Sequence, residues 1–140
     1  MVKRFLSLVL VFAFTLSFGT AMAGPNMNPG KWEITTETEM VGMPMSVPPV
    51  THVQCITEED LVPQSKEASN ECQVTDVKED GDTVSWKIKC SGQGGQMDGT
   101  GTITYSGDTM EGVMDMVIKS AGMTVKNKIS GRRIGPCDKP

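Results

Sequence analysis

The chain has 140 residues, with 13 Lys and Arg against 17 Asp and Glu, and a formal net charge of −4 at pH 7. That acidic balance makes nucleic acid and anionic lipid surfaces poor partners. Gly and Pro are frequent, at 15 and 8 residues, and helix-favouring runs are scarce, which points to an all-β domain.

At the N-terminus, Lys3 and Arg4 precede fourteen apolar or small residues, Phe5 to Phe18, and Ala21-Met22-Ala23 closes the segment. This is the layout of a secretory signal cleaved between Ala23 and Gly24. A membrane anchor needs about 20 apolar residues, and this one stops short at Gly19. Residues 24–140 are then expected to form one exported domain with 11 basic and 17 acidic residues and no integral membrane segment. No Cys precedes Cys55, so a lipid-modified N-terminal cysteine is not expected.

Along the exported part, period-two alternation is commoner than period 3.6. Trp32, Ile34, Thr36, Thr38 and Met40 share one face of a first strand, with Glu33, Thr35, Glu37 and Glu39 on the other. Gly42 to Pro49 breaks the pattern with three prolines, and Val50 to Ile56 resumes an extended run carrying His52 and Cys55. Thr57-Glu58-Glu59-Asp60 opens the one helix candidate, a turn or two long, capped by Thr57 and halted by Pro63. Strand patterns follow at Gln73 to Lys78, Val84 to Lys89, Gln96 to Tyr105, Thr109 to Lys119 and Met123 to Ser130, joined by short turns. Gly92, Gly94, Gly95, Gly99 and Gly101 read as a turn leading into a bent strand. The expected architecture is an antiparallel meander forming a curved sheet or small barrel, stapled by two disulfides, with at most one short helix.

All four cysteines, Cys55, Cys72, Cys90 and Cys137, lie in the exported part, where an oxidising compartment permits disulfides. Glu79-Asp80-Gly81-Asp82 carries an Asp-Gly hairpin turn. Folding about Gly81 sets Cys72 opposite Cys90, each nine positions away, and leaves Cys55 with Cys137 by elimination. A redox or zinc role would need C-x-x-C or clustered Cys and His, and neither pattern occurs.

In combination, several segments carry a family resemblance: Pro29-Gly30-Lys31-Trp32-Glu33-Ile34, Gly42-Met43-Pro44-Met45, Gln54-Cys55, Val84 to Cys90, Ile103 to Asp108 and Gly131 to Cys137. Together they resemble a family of small exported bacterial proteins catalogued as domain of unknown function 3617. The resemblance covers nearly all of residues 24–140. It implies a single domain exported to the periplasm of Gram-negative bacteria, and it supplies no activity, ligand or catalytic residue.

For chemistry, methionine is the leading feature, with nine of the eleven lying beyond residue 23. Met40, Met43 and Met45 cluster beside prolines, with His52 just beyond. Thioethers favour Cu(I), which makes this loop the candidate copper site. The same side chains suit a lid over a cavity for a small hydrophobic ligand, which ranks first, since methionine adapts to variable shapes. Met114 and Met116 read instead as inward-facing core. An envelope structural or protein-partner role is the third reading. Catalysis is not expected: His52 has no nucleophile elbow or triad beside it. The glycine-rich stretch lacks a phosphate-loop pattern. Asp76 to Lys87 echoes a calcium loop but places Lys78 and Lys87 where ligands are required. Lys126, Lys128, Arg132 and Arg133 read as a solvated strand end.

Overall fold

The computed structural model describes residues 24–45, 47–64, 71–92 and 95–138. The expected signal segment, residues 1–23, and Gly94 lie outside them. Seven strands follow one another: β1 (Gly30–Met40), β2 (Val50–Ile56), β3 (Cys72–Asp80), β4 (Thr83–Gly92), β5 (Gly95–Ser106), β6 (Thr109–Ile118) and β7 (Met123–Gly135). They form one antiparallel sheet in the order β2-β1-β7-β6-β5-β4-β3, curled into a half-barrel. The sheet stays open, with β2 and β3 as its edges. Every sequential pair of strands is hydrogen-bonded except β2 and β3, which residues 57–71 connect.

The expected helix at Thr57 is absent. Residues 57–60 form a tight turn closed by an isolated bridge, with Asp60 N–H donating to the Thr57 carbonyl at 3.1 Å. Tertiary packing decides this: Leu61 and Val62, immediately after the turn, are buried in the core. A helix continuing past Asp60 would also meet Pro63 within its second turn.

Period-two alternation puts one face of each strand into the concavity. Trp32, Ile34, Val84, Trp86, Ile88, Ile103, Tyr105, Met110 and Ile129 make its buried core, joined by Met27, Ile56, Leu61 and Val62. Trp32 meets Tyr105 edge to face, with ring centroids 5.8 Å apart. The Tyr105 hydroxyl donates to the Leu61 carbonyl at 2.6 Å, pinning the segment after β2 across one end of the concavity. Burial, with Asp60 nearby, pushes the Tyr105 phenol well above its ordinary range.

Tight curling is accommodated by glycines that face large neighbours. Register sets Ile88 opposite Gly99, Trp86 opposite Gly101, Ile103 opposite Gly112 and Met110 opposite Gly131. A Cβ at Gly101 would run into the Trp86 ring, and one at Gly131 into the Met110 side chain. Each large side chain thus covers the backbone of the adjoining strand.

Both disulfides have the expected pairing. Cys72–Cys90 joins directly opposed residues of β3 and β4, and Cys55–Cys137 ties β2 to the chain after β7. Two disulfides fit an oxidising, extracytoplasmic setting. No helix among the described residues is long and apolar enough to cross a membrane.

Candidate functional site

Methionine is distributed unevenly over the inner face. Register fixes which inward side chains adjoin across the strands, so they fall into rows running across the sheet. One row runs Thr38, Asn127, Met114, Gly101, Trp86. The next runs Met40, Val125, Met116, Gly99, Ile88, and the outermost Met123, Ile118, Met97, Cys90, Cys72. Met40, Met97, Met114, Met116 and Met123 therefore converge on the end of the concavity opposite Leu61 and Tyr105. There they are half-buried, whereas the aromatic end is sealed.

Two polar features border these rows. Thr38 Oγ1 donates to Asn127 Oδ1 at 2.7 Å, and Asn127 is the one buried polar residue among those described. Trp86, only 3% exposed, has its indole Nε1–H buried with no acceptor among the described residues. A buried donor without a partner costs about 1–3 kcal/mol, so an acceptor delivered beside Gly101 and Met114 would be favoured.

The Met-Pro loop between β1 and β2 adds a second surface. Met40, Met43, Pro44, Met45, Val47, Pro48 and Pro49, with Glu37, Thr38 and Glu39, line a cleft of about 610 Å3. Its rim is tied to the sheet by Glu39, which pairs with Lys128 at 2.7 Å. That hydrogen bond and charge hold the Glu39 carboxyl below its ordinary range. Met40 belongs to both surfaces, so the loop cleft is continuous with the methionine rows.

The structure therefore brings the three loop methionines together, but it does not bring His52 to them. His52 faces inward on β2 opposite Ile34, is not among the residues lining the cleft, and has Nε2 buried without a partner among the described residues. Among the described residues no group of three His, Cys, Asp or Glu side chains is placed to hold a metal, so thioethers are the donors on offer. The basic strand end is engaged rather than free. Lys126 pairs with Asp115, Arg132 with Glu33, and Arg133 Nε donates to the Pro29 carbonyl.

Sequence reasoning placed Met114 and Met116 inward but did not join them to Met40, Met97 and Met123. For Met97 and Met123 the signal was present: once a meander is assumed, the two turns at Ser106 to Asp108 and Ser120 to Gly122 set their rows, whereas Met40 joins only through the pairing of β1 with β7, which no turn fixes. The unpartnered Trp86 donor had no such signal, because hydrogen bonding depends on the packed geometry.

A family model described as a protein of unknown function (DUF3617) covers residues 27–137, from the first core residue among those described to the last cysteine. No curated protein and no solved structure matches the chain at a significant level.

Proposed function

The chain belongs to the DUF3617 family of proteins of unknown function, and from that premise we propose that it is an exported, periplasmic, non-enzymatic protein that binds a small apolar ligand. The ligand lies on the methionine-lined end of the half-barrel. The observation that carries this reading is the convergence of Met40, Met97, Met114, Met116 and Met123 on the half-buried end of the inner face. Flexible thioether side chains adapt to an apolar guest of variable shape. The Trp86 indole supplies a buried donor for one acceptor on that guest, so a chain-like amphiphile with a carbonyl or carboxyl group fits best.

A matched pair of substitutions tests this. Met116 faces inward and Val117, the next residue on β6, faces outward and is exposed. Met116→Lys is expected to weaken binding of a fluorescent fatty-acid probe at least about tenfold, since a charge in an apolar contact is costly, while Val117→Lys leaves it unchanged. Equal binding by both variants, or no binding by the unmodified protein, sinks the reading.

Copper(I) binding is the second reading, favoured by the placement of Met40, Met43 and Met45 on one cleft. Replacing all three with Leu keeps the apolar volume and removes the thioethers. Unchanged Cu(I) affinity in that variant would eliminate the loop as a metal site.

A further inference from the structure

From Met40 to Thr57 the chain runs 18 residues without an Asp, Glu, Lys or Arg, although those types make up 21% of the sequence. Val41, Met43, Met45, Val50 and Val53, all exposed large hydrophobic residues, fall within that stretch, and it ends in β2, an outer edge of the sheet.

The two edges of the half-barrel are built differently. β3 carries a bulge at Asp76, whose φ is 52°, and Lys78, Glu79 and Asp80 along its length. Bulges and charges of this kind stop an edge strand from pairing with another chain. β2 has neither: its register with β1 is unbroken from Val50 to Ile56, and it contains no proline and no formal charge. Among the described residues β2 pairs with β1 alone.

We propose that β2 is a pairing edge for a second copy of this chain, the two strands running antiparallel about a two-fold axis near Val53. A two-fold pair sets each residue against its counterpart at equal distance from the axis. An uncharged strand meets itself without like-charge opposition, whereas 17 acidic against 13 basic residues make most other faces repel a copy. Val53, 52% exposed on the outer face, meets its own copy at the axis. On the inner face His52 comes opposite Gln54 of the second copy, which gives a polar neighbour to a ring nitrogen that is buried without one. The sheet then continues across the interface. This inference is independent of the ligand reading, since the pairing strand, Val50–Ile56, contains no residue of the methionine rows.

Native mass spectrometry and light scattering of the oxidised, exported protein, in a dilution series up to ~100 μM, provide the test, because that range reveals any dimer with Kd in the micromolar range. The expected result is a dimer that dissociates on dilution. Val53→Lys and Val53→Glu are each expected to be monomeric, and mixing the two is expected to restore the dimer, since opposite charges then meet at the axis. Val77→Lys, an exposed position on the other edge, should leave the dimer intact. An oxidised mass and retained near-UV circular dichroism confirm that each variant is folded. A monomer at every concentration overturns the proposal, whether or not the protein binds lipid vesicles. So does a dimer unaffected by either Val53 variant, or equally lost with Val77→Lys.

Discussion

At the scale of single residues, the half-barrel depends on where side chains are missing. Trp86 occupies the space that a Cβ on Gly101 would need, and the obstacle is an aromatic ring rather than a flexible tip. Gly101→Ala should therefore displace Trp86 and cost about 1–3 kcal/mol, the usual penalty for overpacking a core, read as a lower urea midpoint. Gly122 is the contrast: a Cβ there would meet nothing within 4 Å, and what resists a side chain is its φ of 61°, in the left-handed region. Tyr105 makes a second prediction. Its phenol is held above its ordinary value of 10.0 in the folded state, chiefly by burial, so the folded protein keeps the proton more tightly than the unfolded chain. The stability this contributes is fully present below pH 10 and declines as pH rises above it. Tyr105→Phe should lose about 1–3 kcal/mol at neutral pH, because the Leu61 carbonyl is left unpaired. It should also flatten the alkaline limb of a stability-against-pH curve.

Among the elements, β3 shows how a register is adjusted. The turn is centred between Gly81 and Asp82, with Asp80 opposite Thr83, rather than on Gly81 as the Asp-Gly pattern suggested. An unbroken ladder from that turn would set Cys72 against Ser91. One extra residue at Asp76 and Val77 shifts the ladder so that Cys72 meets Cys90. Asp76 takes the left-handed conformation the bulge requires and pairs with Lys87 at 3.0 Å, a pair that keeps its carboxyl below the ordinary range. Asp76→Val is expected to destabilise by about 1–2 kcal/mol because a β-branched side chain resists that conformation, whereas Asp76→Gly should stay within about 0.5 kcal/mol; chemical denaturation distinguishes them. The same hairpin shows what was legible beforehand. Strand-favouring runs between turns marked all seven strands, and alternation marked the inward faces of Trp32, Trp86 and Met114, since one-sided burial is written directly into period two. The bulge was invisible because Gln73 to Asp80 alternates weakly. The loss of the Thr57 helix was equally hidden, because capping residues describe local preference while Leu61 and Val62 answer to the core. The loop methionines were visible as a cluster, but their continuity with the inner rows depends on pairing between β1 and β7, far apart in sequence.

For the whole molecule, β1 and β7 are the join on which the sheet depends, paired from Lys31 with Gly135 to Met40 with Val125. Cys55–Cys137, with a sequence separation of 82, reinforces that join, whereas Cys72–Cys90, with a separation of 18, reinforces a hairpin that is already local. In the chain-entropy model the long bridge contributes about 4.5 kcal/mol and the short one about 3 kcal/mol. Replacing Cys55 and Cys137 with Ser should accordingly lower the thermal midpoint more than replacing Cys72 and Cys90, as scanning calorimetry would show; the reverse order would mean that native-state strain outweighs loop closure. The order of the strands in space has a further consequence in time. Ribosomal synthesis delivers the β1–β2 hairpin first and its inner neighbour β7 last, and an isolated two-stranded hairpin is at best marginally stable in water. Until residue 135 has emerged, the uncharged stretch after Met40 has no finished sheet behind it, so the nascent chain holds an adhesive segment exposed from the synthesis of β2 until that of β7 is complete. A holding chaperone, or handover in an unfolded state, is the provision such a chain needs.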